Sequence, residues 1–255
     1  MLITADNLKT TKDDFSSIMH KLRTYGAVII PDFLSLEETC TMETSLSLFR
    51  DKNILPGQIH YFDGPTRYKF VEEQYSPGAV FRITPPSYQQ FSSLCGLFIG
   101  NRLLNSIVDD FYGTPNNKFM QIFAYHDTQA KDDSWNPGKT DNSALHFDPY
   151  QAIKFAFYLT DTSGENGMTR FIPSSHEEGK YFRENHLKPT IWRGQEILDC
   201  HTLFRDSEFS EQDALCPSIK AGAMVIFNTD AWHAGGEIKK VGLERKCVIV
   251  HNRRV

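Results

Sequence analysis

The hydrophobic positions of the first part of the chain follow a helical period. Between residues 15 and 22, apolar side chains recur three or four positions apart, which is typical of one face of an amphipathic helix. Gly26 follows where a helix end favours a left-handed residue, and the apolar run at 27–30 then predicts a short buried strand. A second helix is predicted from residue 35 onward, and a third over about residues 89–112.

Two of these helices begin with a capping signature, in which a hydroxyl side chain is followed three residues later by an acidic one. Thr11 with Asp14 resembles a capping box ahead of the first helix, and Ser35 with Glu38 forms one ahead of the second. We therefore expect the first helix to begin near Thr11 and the second near Ser35.

From residue 118 onward the pattern changes to short apolar runs separated by turn residues, which is typical of β-strands. These runs lie at residues 118–126, 151–160, 168–175, 221–233 and 245–252. Helices followed by many short strands favour a β-sandwich or barrel that is buttressed by the N-terminal helices.

The chain shows no composition change typical of a linker, so we expect a single domain over residues 1–255. Within it, residues 1–117 are predicted to form a helical buttress and a wall of the pocket, and residues 118–255 the β core. Residues 127–143 lack periodicity and are rich in Asp, Asn, Gly and Pro, which predicts an exposed lid loop. Residues 177–215 are mixed and charged, as in an insertion between strands.

Composition excludes several classes of function. The chain has 255 residues, of which 40% are hydrophobic, and a net charge of −5 without a basic run, which argues against a nucleic-acid partner. Its apolar runs have the length of strands, so no membrane partner is expected. The cysteines are odd in number and scattered, and the N-terminus lacks a secretion signal, so a cytoplasmic location is predicted. The sequence leaves the oligomeric state open.

Candidate chemistry is concentrated in a His-x-Asp pair, His146 and Asp148, at the start of an apolar run. In an extended segment the side chains of these two residues point to the same face, and His233 follows a later strand. Two imidazoles and one carboxylate suit Fe(II) and leave three positions of an octahedron open. Zinc hydrolases use the same ligand types, and a His-x-Asp pair by itself is also compatible with a hydrogen-bonded histidine at a strand end.

Five segments in order resemble the phytanoyl-CoA dioxygenase-like (PhyH) family of Fe(II)/2-oxoglutarate-dependent oxygenases. The segments are "YGAVIIPDFLSLEE", "HFDPY", "YLTDTSGENGMTRFIPSSHEEG", "GAMVIFNTDAWHAGGE" and "ERKCVIVHN". The resemblance covers most of the chain. It implies a mostly β fold with flanking helices, whose core is a double-stranded β-helix of the jelly-roll, cupin-like type.

The resemblance also implies the cofactors and the site. Fe(II) would be held by His146, Asp148 and His233, with 2-oxoglutarate and O₂ as cosubstrates, and Arg245 would pair with the far carboxylate of 2-oxoglutarate. A guanidinium suits this task because its planar fork binds a carboxylate through two hydrogen bonds. Many relatives carry a hydroxyl two residues after the distal histidine, where this chain has Gly235, so Gln121 and Tyr125 are candidates to supply the missing hydrogen bond.

The expected reaction is hydroxylation of an unactivated C–H bond of a small soluble metabolite, with release of succinate and CO₂. In related halogenases a small residue replaces the carboxylate, so the presence of Asp148 favours hydroxylation. Desaturation, cyclisation and epimerisation use the same oxidant and stay open, as does a non-catalytic ligand-binding barrel. Four residues are candidates for contact with the substrate: Arg67, Arg82, His126 and Tyr150.

Overall fold

The computed structural model of the chain describes residues 3–53, 66–71, 78–83, 96, 98, 100–114, 119–128, 144–187, 200, 202–236, 238–240 and 242–253. The helices of these residues are α1 (Ala5–Leu8), α2 (Phe15–Tyr25), α3 (Leu36–Asn53), α4 (Arg102–Tyr112) and α5 (His176–Asn185). The strands are β1 (Ala27–Ile30), β2 (Thr66–Val71), β3 (Gly78–Ile83), β4 (Phe119–Thr128), β5 (Ala152–Tyr158), β6 (Arg170–Phe171), β7 (Met224–Asn228), β8 (His233–Ala234) and β9 (Glu244–Arg253). Two 3₁₀ turns cover Leu203–Asp206 and Glu211–Asp213.

Seven strands form one antiparallel sheet in the order β1-β7-β5-β9-β4-β3-β2. A second, smaller sheet pairs β6 with β8, and isolated bridges extend it from Phe171 to Leu215 and from His233 to His146. Two facing sheets with strands that cross between them, covered by helices on one side, confirm the predicted jelly-roll fold class with flanking helices.

The two faces of the large sheet enter different cores because side chains alternate along each strand. On β5, Phe155 and Phe157 join a core beneath helices α2, α3 and α4. Ala156 and Tyr158 point to the opposite face and join the core between the two sheets. Any polar side chain on this inner face therefore lies inside the barrel.

Within the described residues, no helix combines the length and the apolar character that crossing a membrane requires.

The helix starts agree with the sequence in one case and differ in two. Ser35 and Glu38 form the predicted capping box, with the Ser35 backbone N–H 2.7 Å from Glu38 Oε2 and the Glu38 N–H 3.2 Å from Ser35 Oγ. Helix α2, however, is capped by Asp14 and not by Thr11, because the Asp14 carboxylate accepts the Ser17 N–H at 2.9 Å. Helix α4 begins after its cap Asn101 and ends at Tyr112 as predicted, but the helix predicted over about residues 89–112 does not include residues 96, 98 and 100, which lie in turns. Residues 89–95 lie outside the described residues.

The N-terminal segment contributes more to the sheet than predicted. Strands β2 and β3 form a hairpin that continues the large sheet through β4, so the division at residue 117 does not separate a helical part from the β core. Strand β4 runs to Thr128, which moves the start of the predicted lid loop, and residues 129–143 lie outside the described residues. The predicted insertion at 177–215 contains most of helix α5 and the two 3₁₀ turns, and its residues 188–199 and 201 are not described.

Candidate metal centre

The structure brings His146, Asp148 and His233 together. One potential ligand atom of each side chain lies within 4.8 Å of those of the other two. Asp148 and His233 are buried and His146 is half-buried. The cluster is the kind of triangular set that holds one metal ion.

Main-chain hydrogen bonds fix the spacing of this cluster. His146 N–H donates to the His233 carbonyl at 2.9 Å, and His233 N–H donates to the His146 carbonyl at 2.8 Å. These two bonds form an isolated antiparallel bridge between His146 and His233. Asp148 lies outside this bridge, and its N–H donates to the Thr229 carbonyl at 2.9 Å. The apolar run predicted to carry His233 as one strand is in fact two strands, β7 and β8, joined by a turn that crosses from the large sheet to the small one.

Alternation explains why these side chains face the barrel interior. Their neighbours Leu145, Phe147 and Trp232 point the other way, into a third apolar core that includes Phe182 of helix α5. Phe147 packs edge-on against Trp232 with ring centroids 5.1 Å apart. Burying these large side chains commits the intervening residues to the opposite face, where the ligands meet.

Hydrogen bonds at Nδ1 determine which imidazole nitrogen is available to a metal. His146 Nδ1 lies 2.9 Å from the Ala144 carbonyl, and His233 Nδ1 lies 2.8 Å from the Ala231 carbonyl. A carbonyl oxygen only accepts, so each Nδ1 carries the proton and donates it. Nδ1 is thus engaged in each ring, and Nε2 is the nitrogen left to bind a metal, as in metal-binding histidines.

Asp148 is held in its ionised form by the groups around it. Burial raises the pKa of its carboxyl, but the Lys154 ammonium and the imidazoles of His233 and His146 more than offset this, so the pKa lies well below its usual range. Lys154 Nζ lies 2.8 Å from Asp148 Oδ2, and both side chains are nearly buried. A carboxylate that stays ionised is ready to bind a cation without first losing a proton.

Arg245 lies on the inner face of β9. Its guanidinium donates through one Nη to the carbonyl of Gly167, in the turn that follows Asn166. The next residue, Lys246, points to the opposite face as expected and pairs with Glu43 of helix α3 at 2.7 Å. The turn at Gly167 thus orients the guanidinium for which the resemblance implies a contact with 2-oxoglutarate.

Tyr158 is a further polar group of the inner face. Its hydroxyl donates to Thr169 Oγ1 at 2.8 Å, and burial, with the nearby Cys247, raises its pKa to about 12 even though Arg245 acts in the opposite direction. The phenol therefore stays neutral and supplies a hydrogen-bonding group beside Arg245.

The remaining predicted site residues lie in different parts of the fold. Tyr125 borders the inner core, opposite Cys247 in the sheet, and Gln121 pairs with His251 along the same strand. His126 is on the other face, where it is buried and its Nε2 lies 2.8 Å from Glu244 Oε2, so its predicted contact with substrate is not supported. Tyr150 is 36% exposed, just after the ligand segment.

Arg67 and Arg82 are directly opposite each other in the β2–β3 hairpin, at the edge of the large sheet. Their predicted contact with substrate stays a prediction.

Lys154 and Tyr158 were missed by the sequence analysis. Both interrupt the apolar run "AIKFAFY" at positions that share one face, and a lysine within a strand predicted to be buried is the signal that would have identified the inner face.

The donor set fits Fe(II). Two neutral imidazole nitrogens and one carboxylate oxygen, grouped on one side, match the triad of non-haem iron oxygenases and leave coordination positions for other ligands.

Comparison with known proteins gives one family and one fold. The sequence model of the family described as phytanoyl-CoA dioxygenase (PhyH) matches residues 22–245. Among curated protein sequences, none matches the chain at a significant level.

Several solved structures are similar to this one. EvdO2 from Micromonospora carbonacea var. aurantiaca, solved with 2-oxoglutarate, is 12% identical, with 93% of this chain and 89% of that chain covered and a TM-score of 0.56. The epimerase SnoN, solved with Fe³⁺, alpha ketoglutarate and nogalamycin RO, is 13% identical, with 95% and 84% covered and a TM-score of 0.58. The carbocyclase SnoK from nogalamycin biosynthesis is 16% identical, with 100% and 87% covered and a TM-score of 0.58. At these identities the similarity establishes the fold.

Proposed function

The chain belongs to the phytanoyl-CoA dioxygenase family of Fe(II)/2-oxoglutarate oxygenases, and on this premise we propose that it hydroxylates an unactivated C–H bond of a small metabolite. The observation that carries the proposal is the convergence of His146, Asp148 and His233, whose ligand atoms lie within 4.8 Å of one another. Family membership supports the class of oxidant, and the convergence supports the place proposed for the metal.

His146 and His233 would bind the iron through Nε2, and Asp148 through one carboxylate oxygen. When bound, iron with 2-oxoglutarate and O₂ supplies a two-electron oxidation of a C–H bond, while 2-oxoglutarate leaves as succinate and CO₂. The protein's own contribution is to hold these ligands, to orient the target carbon and to exclude water.

Arg245 is the proposed partner of the far carboxylate of 2-oxoglutarate. It lies on the inner face that the triad also faces, and the Gly167 carbonyl orients its guanidinium from one side. Gly235 provides no hydroxyl, and Tyr158, Tyr125 and Gln121 are on the strands that line this face. We propose that these polar groups replace the missing hydrogen bond to the cosubstrate.

Hydroxylation is favoured over halogenation because Asp148 occupies the position that a halide would need. The proposed substrate is a small molecule, since the sequence has a net charge of −5 and no basic run of the kind that binds nucleic acid. The cysteines are odd in number and scattered along the sequence, which supports a reducing compartment such as the cytoplasm.

The test is a screen of small metabolites with the Fe(II) protein, read by the formation of succinate that depends on both substrate and O₂. Hits are then repeated under ¹⁸O₂. Hydroxylation predicts a product that gains one oxygen atom carrying the label. A product without added oxygen would instead assign desaturation, cyclisation or epimerisation. Substrate-dependent turnover without O₂ would point to a zinc hydrolase, and absence of Fe(II)-dependent 2-oxoglutarate binding would favour a non-catalytic barrel.

A further inference from the structure

Strand β5 places a lysine inside the barrel. Its residues Ile153 and Phe155 belong to the core beneath the helices, and Ala156 and Tyr158 to the core between the sheets. Lys154 shares the face of the second pair, and its side chain is only 12% exposed. A buried ammonium is costly unless it is paired, so its partner identifies what it does.

That partner is the carboxylate of the metal triad. Lys154 Nζ lies 2.8 Å from Asp148 Oδ2, whereas Asp148 Oδ1 lies 3.6 Å from His233 Nε2. The two oxygens of one carboxylate thus face different groups: one faces an ammonium, and the other faces the imidazole that completes the cluster. Lys154 Nζ is also 5.7 Å from the centre of the Phe227 ring, which stabilises the cation on a second side.

This division matters because the proposed reaction needs three open positions on the metal. A triad in which the carboxylate binds through one oxygen occupies three of six positions, and 2-oxoglutarate and O₂ require the other three. A carboxylate that bound through both oxygens would occupy a fourth. A group that holds Oδ2 away from the metal therefore keeps the centre competent.

We propose that Lys154 is a positioning residue that holds Asp148 Oδ2, so that Asp148 binds the metal through Oδ1 alone. The inference rests on the proposed assignment of the metal to the triad. It assigns to this lysine a function in the centre, in addition to neutralising a buried carboxylate.

Two effects of Lys154 predict opposite changes in metal affinity when the lysine is removed. Coulomb repulsion between an ammonium and a divalent cation weakens metal binding, so loss of the charge alone would tighten it. Loss of a paired group that orients a metal ligand weakens binding, typically by about ten- to a hundredfold. The sign of the change therefore separates a positioning residue from a neighbouring charge.

The experiment titrates the metal-free full-length protein with Co(II), whose visible absorption reports both binding and coordination geometry. Lys154→Met is expected to bind Co(II) about ten- to a hundredfold more weakly than the native protein, with an altered visible spectrum. Lys154→Arg, which keeps a cationic donor, is expected to restore both. The Fe(II) form of Lys154→Met is also expected to bind 2-oxoglutarate more weakly than the native protein. This is measured under nitrogen by the visible charge-transfer band that appears as 2-oxoglutarate binds.

Lys246→Met is the matched control. Lys246 is also a buried, paired lysine, with an 8% exposed side chain, but it lies on the opposite face of the sheet. The Lys246→Met protein is expected to be less stable than the native protein, while its Co(II) spectrum stays native. Should Lys154→Met fail to fold, Lys154→Gln is judged by the same criterion.

Unchanged or tighter Co(II) binding by Lys154→Met would overturn the proposal, and so would a Lys154→Arg variant as weak as Lys154→Met. Asp148→Ala separates this failure from a failure of the metal assignment. If Asp148→Ala binds Co(II) as the native protein does, the triad itself is wrong, whatever Lys154 does.

Discussion

His146 and His233 exchange both of their main-chain hydrogen bonds, at 2.9 and 2.8 Å, and their ring centroids lie 4.5 Å apart. The two residues are direct partners in an antiparallel bridge, so the backbone sets the separation of the imidazoles. The carbonyls of Ala144 and Ala231 then set the orientation of each ring. Two of the three proposed ligands are therefore organised by the fold before any metal binds.

This arrangement predicts that removing either imidazole strongly weakens metal binding without unfolding the protein. For His146→Ala and His233→Ala we expect the dissociation constant for Co(II) to rise by more than about a hundredfold, since a ligand is lost and not only its supporting partner. The bridge is made by main-chain atoms, so the far-UV circular dichroism spectrum should stay native. Isothermal titration of the metal-free protein measures the affinity.

The exposed histidine His20 on helix α2 supplies the control, because His20→Ala removes an imidazole away from the cluster. Native Co(II) affinity in either triad variant would contradict the metal assignment.

The sequence was sufficient for the triad and for the inner face of β9. His146 and Asp148 are close in sequence, and the alternation of "RKCVIVHN" correctly separates Arg245 from Lys246. The resemblance to a family supplied the order of the distant segments, which no local pattern contains. The common face of His146 and Asp148 and the inner face of β9 follow from period-two alternation, which a sequence displays directly.

Contacts across the barrel were not predictable in the same way. Lys154 meets Asp148 only because β5 turns its side chain inward while the ligand segment returns beside β8, and this depends on the closed fold. Strands β2 and β3 escaped detection because charged residues interrupt their apolar pattern. They join the large sheet through the pairing of β3 with β4, which no local pattern indicates. The face of β4 that His126 occupies was not predictable either, because proximity in sequence to the lid loop does not indicate the direction of a side chain.

The Arg245–Gly167 contact leads to a prediction for cosubstrate binding. Lysine at position 245 keeps the positive charge and can still donate to the Gly167 carbonyl, but it lacks the planar fork that binds a carboxylate through two hydrogen bonds. Arg245→Lys is expected to weaken 2-oxoglutarate binding by about tenfold or more, which corresponds to about 1.4 kcal/mol. Anaerobic titration of the Fe(II) protein with 2-oxoglutarate, followed by visible absorption, measures this change.

The same variant should retain native Co(II) affinity, because Arg245 is not a proposed ligand. Arg205→Lys, at an exposed position of a 3₁₀ turn, provides the control for the substitution itself. If Arg245→Lys bound 2-oxoglutarate as tightly as the native protein, the far carboxylate would have another partner.

Gly179 is the point where helix α5 approaches the turn that delivers His233. A Cβ atom at this position would lie 1.8 Å from the Asp230 carbonyl oxygen. Gly179→Ala therefore forces the helix and the turn apart, at a cost of about 1–3 kcal/mol or more for overpacking. This cost exceeds the gain of about 1 kcal/mol that alanine brings to a helix. We expect a net loss in the free energy of unfolding, measured in urea, together with weaker Co(II) binding.

Gly164→Ala is the matched control, since its Cβ would meet only Cys216 Sγ at 3.6 Å, an ordinary contact. A Gly179→Ala protein with native stability and native Co(II) affinity would contradict the prediction, because the turn would then accommodate the extra methyl group without displacing His233.

The ion network around Glu244 predicts how stability depends on pH. Glu244 Oε1 lies 3.0 Å from Lys246 Nζ and its Oε2 lies 2.8 Å from His126 Nε2. Burial raises the pKa of this carboxyl, but the two partners more than offset it, so the pKa lies below its ordinary value of 4.5. The stabilisation is thus fully present above that value and is lost as the pH falls through the lower, folded-state pKa. Because the Glu244 side chain is 40% exposed, its contribution is limited to about 1 kcal/mol or less.

Glu244→Gln removes this contribution and is the variant that tests it. Near neutral pH we expect it to be less stable than the native protein by about 1 kcal/mol or less, and we expect the difference to shrink as the solution becomes more acidic than about pH 4. Thermal unfolding of both proteins across this range gives the comparison, with the exposed Glu37→Gln as control. A difference that stayed constant with pH, or that grew in acid, would mean that the folded state does not favour the ionised carboxylate and that the network contributes by packing alone.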